Sequence, residues 1–142
     1  MSKQSVKNIM HKNPITVKCQ TPLNDIIKIL INSQQTQLPV VNSNKELLGM
    51  ISSVDCQRAL LISGYHCDKP VRVSDIMAKE FTYLNEDEDL SEVAIKTQKT
   101  LENIFPVITD GKLVAIMKRI DLLVHLQHNL SLCSDNKQSK NK

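Results

Sequence analysis

The sequence predicts a mixed α/β fold of the α+β kind, built as two pseudo-symmetric copies of a β-α-β-β-α unit. Three observations carry this. First, Ile9-Met10 returns as Ile76-Met77, and Leu38-Pro39-Val40-Val41 returns as Phe105-Pro106-Val107-Ile108, both at an interval of 67 (76 − 9 and 105 − 38). Second, Gly49-Met50-Ile51 returns as Ala115-Ile116-Met117 and Asp55 as Asp121, at an interval of 66 (115 − 49 and 121 − 55). The residue lost lies between two apolar runs, where a turn belongs. Third, each copy sets short β-branched runs around one stretch of helical periodicity. Two copies make a pair rather than a solenoid, with a cleft where the halves meet.

Pro14-Ile15-Thr16-Val17 is β-branched and reads as a leading strand. Thr21-Pro22 reads as an N-cap with proline in the first turn. Leu23, Ile26, Ile27 and Leu30 follow at the spacing of one buried helix face. Gln37 to Val41 is a strand in which Pro39, having no amide to donate, implies a sheet edge or a strand start. After the turn Asn42-Ser43-Asn44-Lys45 comes the strand Leu47 to Ile51, and then a helix opened by Ser52-Ser53-Val54-Asp55 and running to about Ile62.

The second copy repeats the order. Phe81-Thr82-Tyr83-Leu84 replaces the leading strand, and the acidic run Glu86 to Asp89 suits a helix N-terminus. Leu90, Val93, Ala94 and Thr97 form the helix face, which is less apolar than its counterpart and predicts shallower burial. Asn103 to Ile108 and Leu113 to Met117 form a hairpin around the tight turn Thr109-Asp110-Gly111-Lys112, and a helix from Ile120 to about Gln127 closes the unit. The expected organisation is a first unit over 1–62, a linker over 63–72, a second unit over 73–128, and a polar, disordered tail over 129–142.

Composition narrows the function. Units of roughly 55 residues bury a marginal core alone, and pairing remedies this. The net charge of +3 is carried largely by the last ten residues, with three Lys and one Asp, so the rest of the chain is nearly neutral. With two Phe, two Tyr and no Trp, neither a phosphate-backbone face nor a base-stacking platform is expected, and nucleic acid is excluded as a partner. No apolar window is long enough for a membrane span and no signal peptide opens the chain, so a cytoplasmic protein is expected. Cys19, Cys56, Cys67 and Cys133 form no CxxC pair and read as reduced thiols. Three glycines allow no Gly-rich phosphate loop, and no nucleophile, base and orienting group stand at a recognisable spacing, so no enzyme activity is expected. His125 and His128 at i, i+3 lack a neighbouring Cys or carboxylate, and His66-Cys67 reads as ordinary linker; no metal is expected. Met10, Met50, Met77 and Met117 recur in register as core residues.

The ordered set of landmarks resembles the cystathionine-β-synthase (CBS) domain, found in tandem as the Bateman module. The resemblance covers about Val6 to Val124. It is carried by Val6-Lys7-Asn8-Ile9-Met10 and Val73-Ser74-Asp75-Ile76-Met77, the apolar-Pro-Val-Val strand, and Gly49-Met50-Ile51-Ser52-Ser53-Val54-Asp55. That last segment matches the family's pattern of Gly, two apolar residues, Ser or Thr, two variable residues and Asp. The second copy, Ala115-Ile116-Met117-Lys118-Arg119-Ile120-Asp121, keeps the Asp but has Ala for Gly and Lys for Ser or Thr.

The resemblance implies two CBS units packed through their sheets about a pseudo-two-fold axis, with two clefts that take AMP, ADP, ATP or S-adenosylmethionine. It implies a regulatory module, commonly a homodimer, acting on an unknown regulated protein. A ribose diol wants a carboxylate acceptor, and Asp55 and Asp121 are the candidates, Asp55 together with Ser52. A helix N-terminus beside the carboxylate suits a phosphate. Ile15, Thr16, Val17 and Pro39 are expected to line the first base slot, and Phe81, Thr82, Tyr83 and Pro106 the second. Arg58, Lys118 and Arg119 are the nearest cations for phosphate.

Helix physics offers a plainer account, since Ser52-x-x-Asp55 is also a capping box with Asp in the place of Glu. Lys118 cannot accept a hydrogen bond and so cannot cap. Asp121 then calls for a ligand, or for an ion pair with Lys118 or Arg119. The first site is expected intact, the second altered toward phosphate through Lys118 or empty. The alternative function is a structural dimerisation module whose clefts hold no small molecule.

Overall fold

The computed structural model describes residues 4–63 and 71–140. Residues 64–70, including His66 and Cys67, the side chain of Cys133, and residues 141–142 lie outside the described residues. A 3-10 turn at Val6–Asn8 leads to β1 (His11–Lys12), α1 (Leu23–Ser33), β2 (Gln37–Val41), β3 (Leu47–Ser52) and α2 (Ser53–Ser63). The second half runs α3 (Val73–Ile76), α4 (Leu90–Thr97), β4 (Ile104–Thr109), β5 (Lys112–Lys118) and α5 (Arg119–Lys140). Two antiparallel hairpins form the sheets: β2 pairs with β3, and β4 with β5, which also takes β1 on its other edge. The second hairpin turns at Asp110 (φ 52°) and Gly111 (φ 77°), two consecutive left-handed residues as a type I′ turn requires. The first turn is longer, and Asn42 Oδ1 orders it by accepting from the amides of Asn44 and Glu46, each at 2.9 Å. The repeats thus differ in length at the hairpin, where the sequence places the lost residue.

Each unit has its own apolar cluster, but the openings are exchanged. Val6, Ile9 and Met10 pack into the second unit's core with Leu84, Leu90, Val93, Phe105, Val107 and Met117. Val73, Ile76 and Met77 pack into the first unit's core with Val17, Ile26, Leu38, Val40 and Ile51. Backbone bonds seal the exchange: Val6 donates to the Glu88 carbonyl and Leu90 to that of Gln4, both at 3.0 Å, while Met50 and Ala78 exchange bonds of 2.9 and 2.8 Å. Met50, Ile104 and Ile116 form a third cluster that joins the sheets of the two units.

Several sequence expectations are corrected. The leading strands at Pro14–Val17 and Phe81–Leu84 reduce to single parallel bridges, Val17 to Val40 and Leu84 to Val107. Pro39 and Pro106 accept from Val17 and Leu84 at 3.0 and 2.9 Å. A residue's N and O face one side of a strand, so each ring nitrogen points toward a short bridge, where a missing donor costs little. Thr21 does not cap α1; its Oγ1 accepts from the Lys18 amide at 3.0 Å, and Pro22 holds the cap position with no side-chain bond. The second unit's helix is not shallower: Leu90, Val93 and Thr97 have no exposed surface. The Thr97 hydroxyl donates to the Val93 carbonyl at 2.8 Å, which makes its burial tolerable. The closing helix does not end near Gln127 but runs to Lys140, so 129–140 is helical rather than an unstructured tail. No Gly or Pro follows Gly111 to break it.

Candidate functional site

The exchange of openings determines which residues meet. Because β3 bridges to Ala78, the segment that follows, Glu80 to Thr82, is laid across the end of β3 and the start of α2. A narrow cleft of 140 Å³ results, lined by Gln37, Met50, Ser52 and Asp55 from the first unit and by Ala78, Glu80, Phe81, Thr82, Glu102, Ile104 and Pro106 from the second. This is below the roughly 300–1,000 Å³ usual for a small-molecule site. The sequence expectation had each motif facing its own unit's slot. The structure crosses them: Ser52 and Asp55 meet Phe81, Thr82 and Pro106.

The other expected lining residues lie elsewhere. Val17 is a core residue at 3% exposure, and Pro39 is buried in β2 opposite Met50. Ile15 is exposed, and Thr16 borders a separate groove of 770 Å³ with Asn13, Pro14, Lys45 and Lys112. Tyr83 lies outside the cleft, edge-on to Phe81 with ring centroids 6.4 Å apart, and Lys96 sits over its ring at 5.9 Å.

At the start of α2 the reciprocal capping box is formed. Ser52 donates its amide to Asp55 Oδ2 at 3.0 Å, and the Asp55 amide donates to Ser52 Oγ at 3.1 Å. The Ser53 amide donates to the Thr36 carbonyl at 2.8 Å. Three amides that the sequence reading had offered to a phosphate are therefore engaged within the chain. Asp55 Oδ1 lies 3.6 Å from Arg58 Nη1, and Arg58 itself is mostly exposed. Asp55, Glu80 and Glu102 put three carboxylates on the cleft, and among the described residues no Lys or Arg lines it. The charge next door also acts on Cys56: burial, and then the Asp55 carboxylate, push its thiol pKa up.

In the second motif Lys118 and Asp121 form no reciprocal pair. Asp121 does not bond Lys118 or Arg119 as expected; His11 Nε2 lies 2.6 Å from its Oδ2. The ionised carboxylate only accepts, so the imidazole donates. His11 was not singled out by the sequence reading; its one signal is its position, 67 before Ala78 (78 − 11). Arg119, expected to meet phosphate, is committed to structure. Its Nε donates to the Glu102 carbonyl at 2.8 Å, its Nη2 to the carbonyls of Thr97 and Thr100 at 3.2 and 3.0 Å, and its guanidinium lies 5.1 Å from the centre of the Phe105 ring. Lys118 borders a shallow groove with Ser33, Gln34 and Asn103. Among the described residues no cluster of three or more metal-ligating side chains occurs, and no helix is long and apolar enough to cross a membrane.

Comparison with known proteins bears on the family and the fold. The family model of the CBS domain matches the chain twice, over residues 6–62 and 73–128. L-aspartate semialdehyde sulfurtransferase of Methanocaldococcus jannaschii is 32% identical over 109 residues, which cover 77% of this chain and 20% of that protein. The chain spans less than half the length of three further curated relatives. Among solved structures, the CBS domain pair of protein MJ0100, in complex with 5′-methylthioadenosine and S-adenosyl-L-methionine, is 31% identical. It superposes with a TM-score of 0.73 over 87% of this chain and 99% of that one. CBSX2 in complex with AMP is 26% identical, with a TM-score of 0.74 over 88% of this chain and 98% of that one.

Proposed function

The chain belongs to the CBS-domain family as a tandem pair, and on that footing we propose that it is a regulatory module, not an enzyme, that binds an adenosine-containing ligand of the AMP, ADP, ATP or S-adenosylmethionine class. The observation that carries this reading is the crossed cleft. Asp55 lines the cleft, and its Oδ1, which meets the Arg58 guanidinium only at 3.6 Å, offers the acceptor a ribose diol needs. Phe81, Ile104 and Pro106 supply apolar wall for a base. The ligands in the structures of the MJ0100 pair and of CBSX2 share the adenosine moiety. The cleft is small and both units line it, so a nucleoside must part them to enter. Occupancy is thereby coupled to the relation between units, which is the signal passed to a regulated partner or to a second copy.

The test is a thermal melt of wild type and Asp55→Ala with AMP, ATP, 5′-methylthioadenosine and S-adenosylmethionine. A ligand bound only by the folded state stabilises by about 2.7 kcal/mol at a hundredfold excess over its Kd. Wild type is expected to shift and Asp55→Ala is not. No shift with any of these compounds defeats the reading.

One observation favours the alternative, a dimerisation module without a ligand: the capping box already explains Ser52 and Asp55. Its structural support is apolar surface, with Val54, Leu60, Leu61 and Ile62 exposed on α2 and Ile120, Leu123 and Val124 exposed on α5. The homodimer is proposed under either reading, and light scattering across a dilution series measures it. A dimer that no adenosine compound stabilises is the result expected of the alternative.

A further inference from the structure

We propose that His11 closes the second cleft, so that the module takes one adenosine ligand per chain, at the Asp55 cleft alone; this rests on the carboxylate-to-ribose reading above. The repeat supplies the argument. The antiparallel pair Met50–Ala78 of the first cleft corresponds to the pair Ile116–His11 of the second. The intervals are those of the repeat, 66 for 116 − 50 and 67 for 78 − 11. His11 therefore stands where Ala78 stands, and Asp121 where Asp55 stands. In the first cleft the residue at this register is a methyl group, and it shares the cavity wall with Asp55. In the second it is an imidazole whose Nε2 reaches the carboxylate at 2.6 Å. Each carboxylate thus holds one donor within the chain, but at Asp121 that donor is a ring reaching in from the register that carries only a methyl group in the first cleft.

The exchange of Ser52 for Lys118 completes the change. Without a hydroxyl three residues back, Asp121 makes no capping box and its carboxylate is released toward β1. A ligand at this cleft would have to turn aside an imidazole whose backbone is held by β1–β5 pairing, where His11 lies opposite Ile116, and break its bond to Asp121. The 770 Å³ groove is lined by Pro14 and Thr16 but not by Asp121 or Lys118. The carboxylate and the expected base slot are thus not assembled into one cavity.

Isothermal titration calorimetry with AMP and with 5′-methylthioadenosine tests this on four proteins: wild type, His11→Ala, Asp121→Ala and the double variant. The expected stoichiometry per chain is one for wild type, two for His11→Ala, and one again for the double variant. His11→Ser guards against a folding defect peculiar to the alanine, and circular dichroism checks each variant. Wild type binding two ligands, or His11→Ala and His11→Ser both remaining at one, overturns the proposal. A wild type that binds none, with a site in His11→Ala that Asp121→Ala removes, supports the plug while defeating the reading of the Asp55 cleft. No binding by any variant defeats both.

Discussion

The carbonyl oxygen of Ala78 lies against Gly49 with no room for a side chain: a Cβ on Gly49 would stand 2.7 Å from it and 2.8 Å from Met77 Sδ. The sulfur could swing aside, but the carbonyl is held by its bond from the Met50 amide. Gly49 is what lets the second unit's opening lie on β3. We expect Gly49→Ala to destabilise the protein by about 1–3 kcal/mol, the usual cost of overpacking, measured by urea unfolding. At the equivalent position Ala115 is buried and faces Lys12. Ala115→Gly should cost less, about 0.5–1 kcal/mol from backbone entropy.

Ser52 separates the cap from the ligand. Its hydroxyl accepts from the Asp55 amide, while the Asp55 side chain bonds the Ser52 amide, which survives substitution. Ser52→Ala should lower stability by about 0.5–2 kcal/mol and leave the ligand-induced melting shift largely in place. Loss of both on Ser52→Ala would mean that the hydroxyl itself touches the ligand.

Phosphate should not tighten binding. The cleft presents Asp55, Glu80 and Glu102, and the amides of Ser52, Ser53 and Asp55 beside it are engaged. We expect adenosine and 5′-methylthioadenosine to bind at least as tightly as ATP in calorimetry at low salt. A steep gain from adenosine to ATP would place a cation in the cleft that this arrangement does not supply.

Arg119 should matter for stability and not for ligand. Its bonds tie the segment after α4 to the start of α5. A lysine cannot reproduce the planar fork. Arg119→Lys should lower the melting temperature while the Kd for the adenosine compound stays unchanged.

Cys56 should react more slowly than Cys19. Its raised pKa leaves less thiolate at neutral pH, and the thiolate is the nucleophile. Peptide mapping after brief alkylation at pH 7.5 should find Cys19, which is only half-buried, modified ahead of Cys56. Raising the pH should narrow the gap, because the thiolate fraction of a group with the higher pKa is the last to saturate.

Much of the fold was legible because it is written in short range. The helix face of Ile26 and Leu30, the Asp110-Gly111 turn and the strands around Pro39 and Pro106 all follow from periodicity or local conformation. The candidate cleft was legible only in part. Ser52 and Asp55 sit where their spacing put them, and Phe81, Thr82 and Pro106 do line a cleft, but with the opposite unit's motif. Arg119 was misread because a basic residue beside a motif looks the same whether its partners are phosphates or carbonyls.

By itself the sequence determined the repeat, the two hairpins, the family and the pairing of Asp55 with Asp121. All of these are properties of order and spacing along one chain. The tertiary structure alone decided that each opening packs into the other unit's core, that the first motif faces the second unit's Phe81–Thr82 segment, and that Asp121 is held by a histidine 110 positions away. Such choices rest on which surfaces bury against each other. Two units of the same pattern satisfy their periodicity equally well whether their ends are exchanged or kept, and only packing across the pseudo-two-fold distinguishes the two.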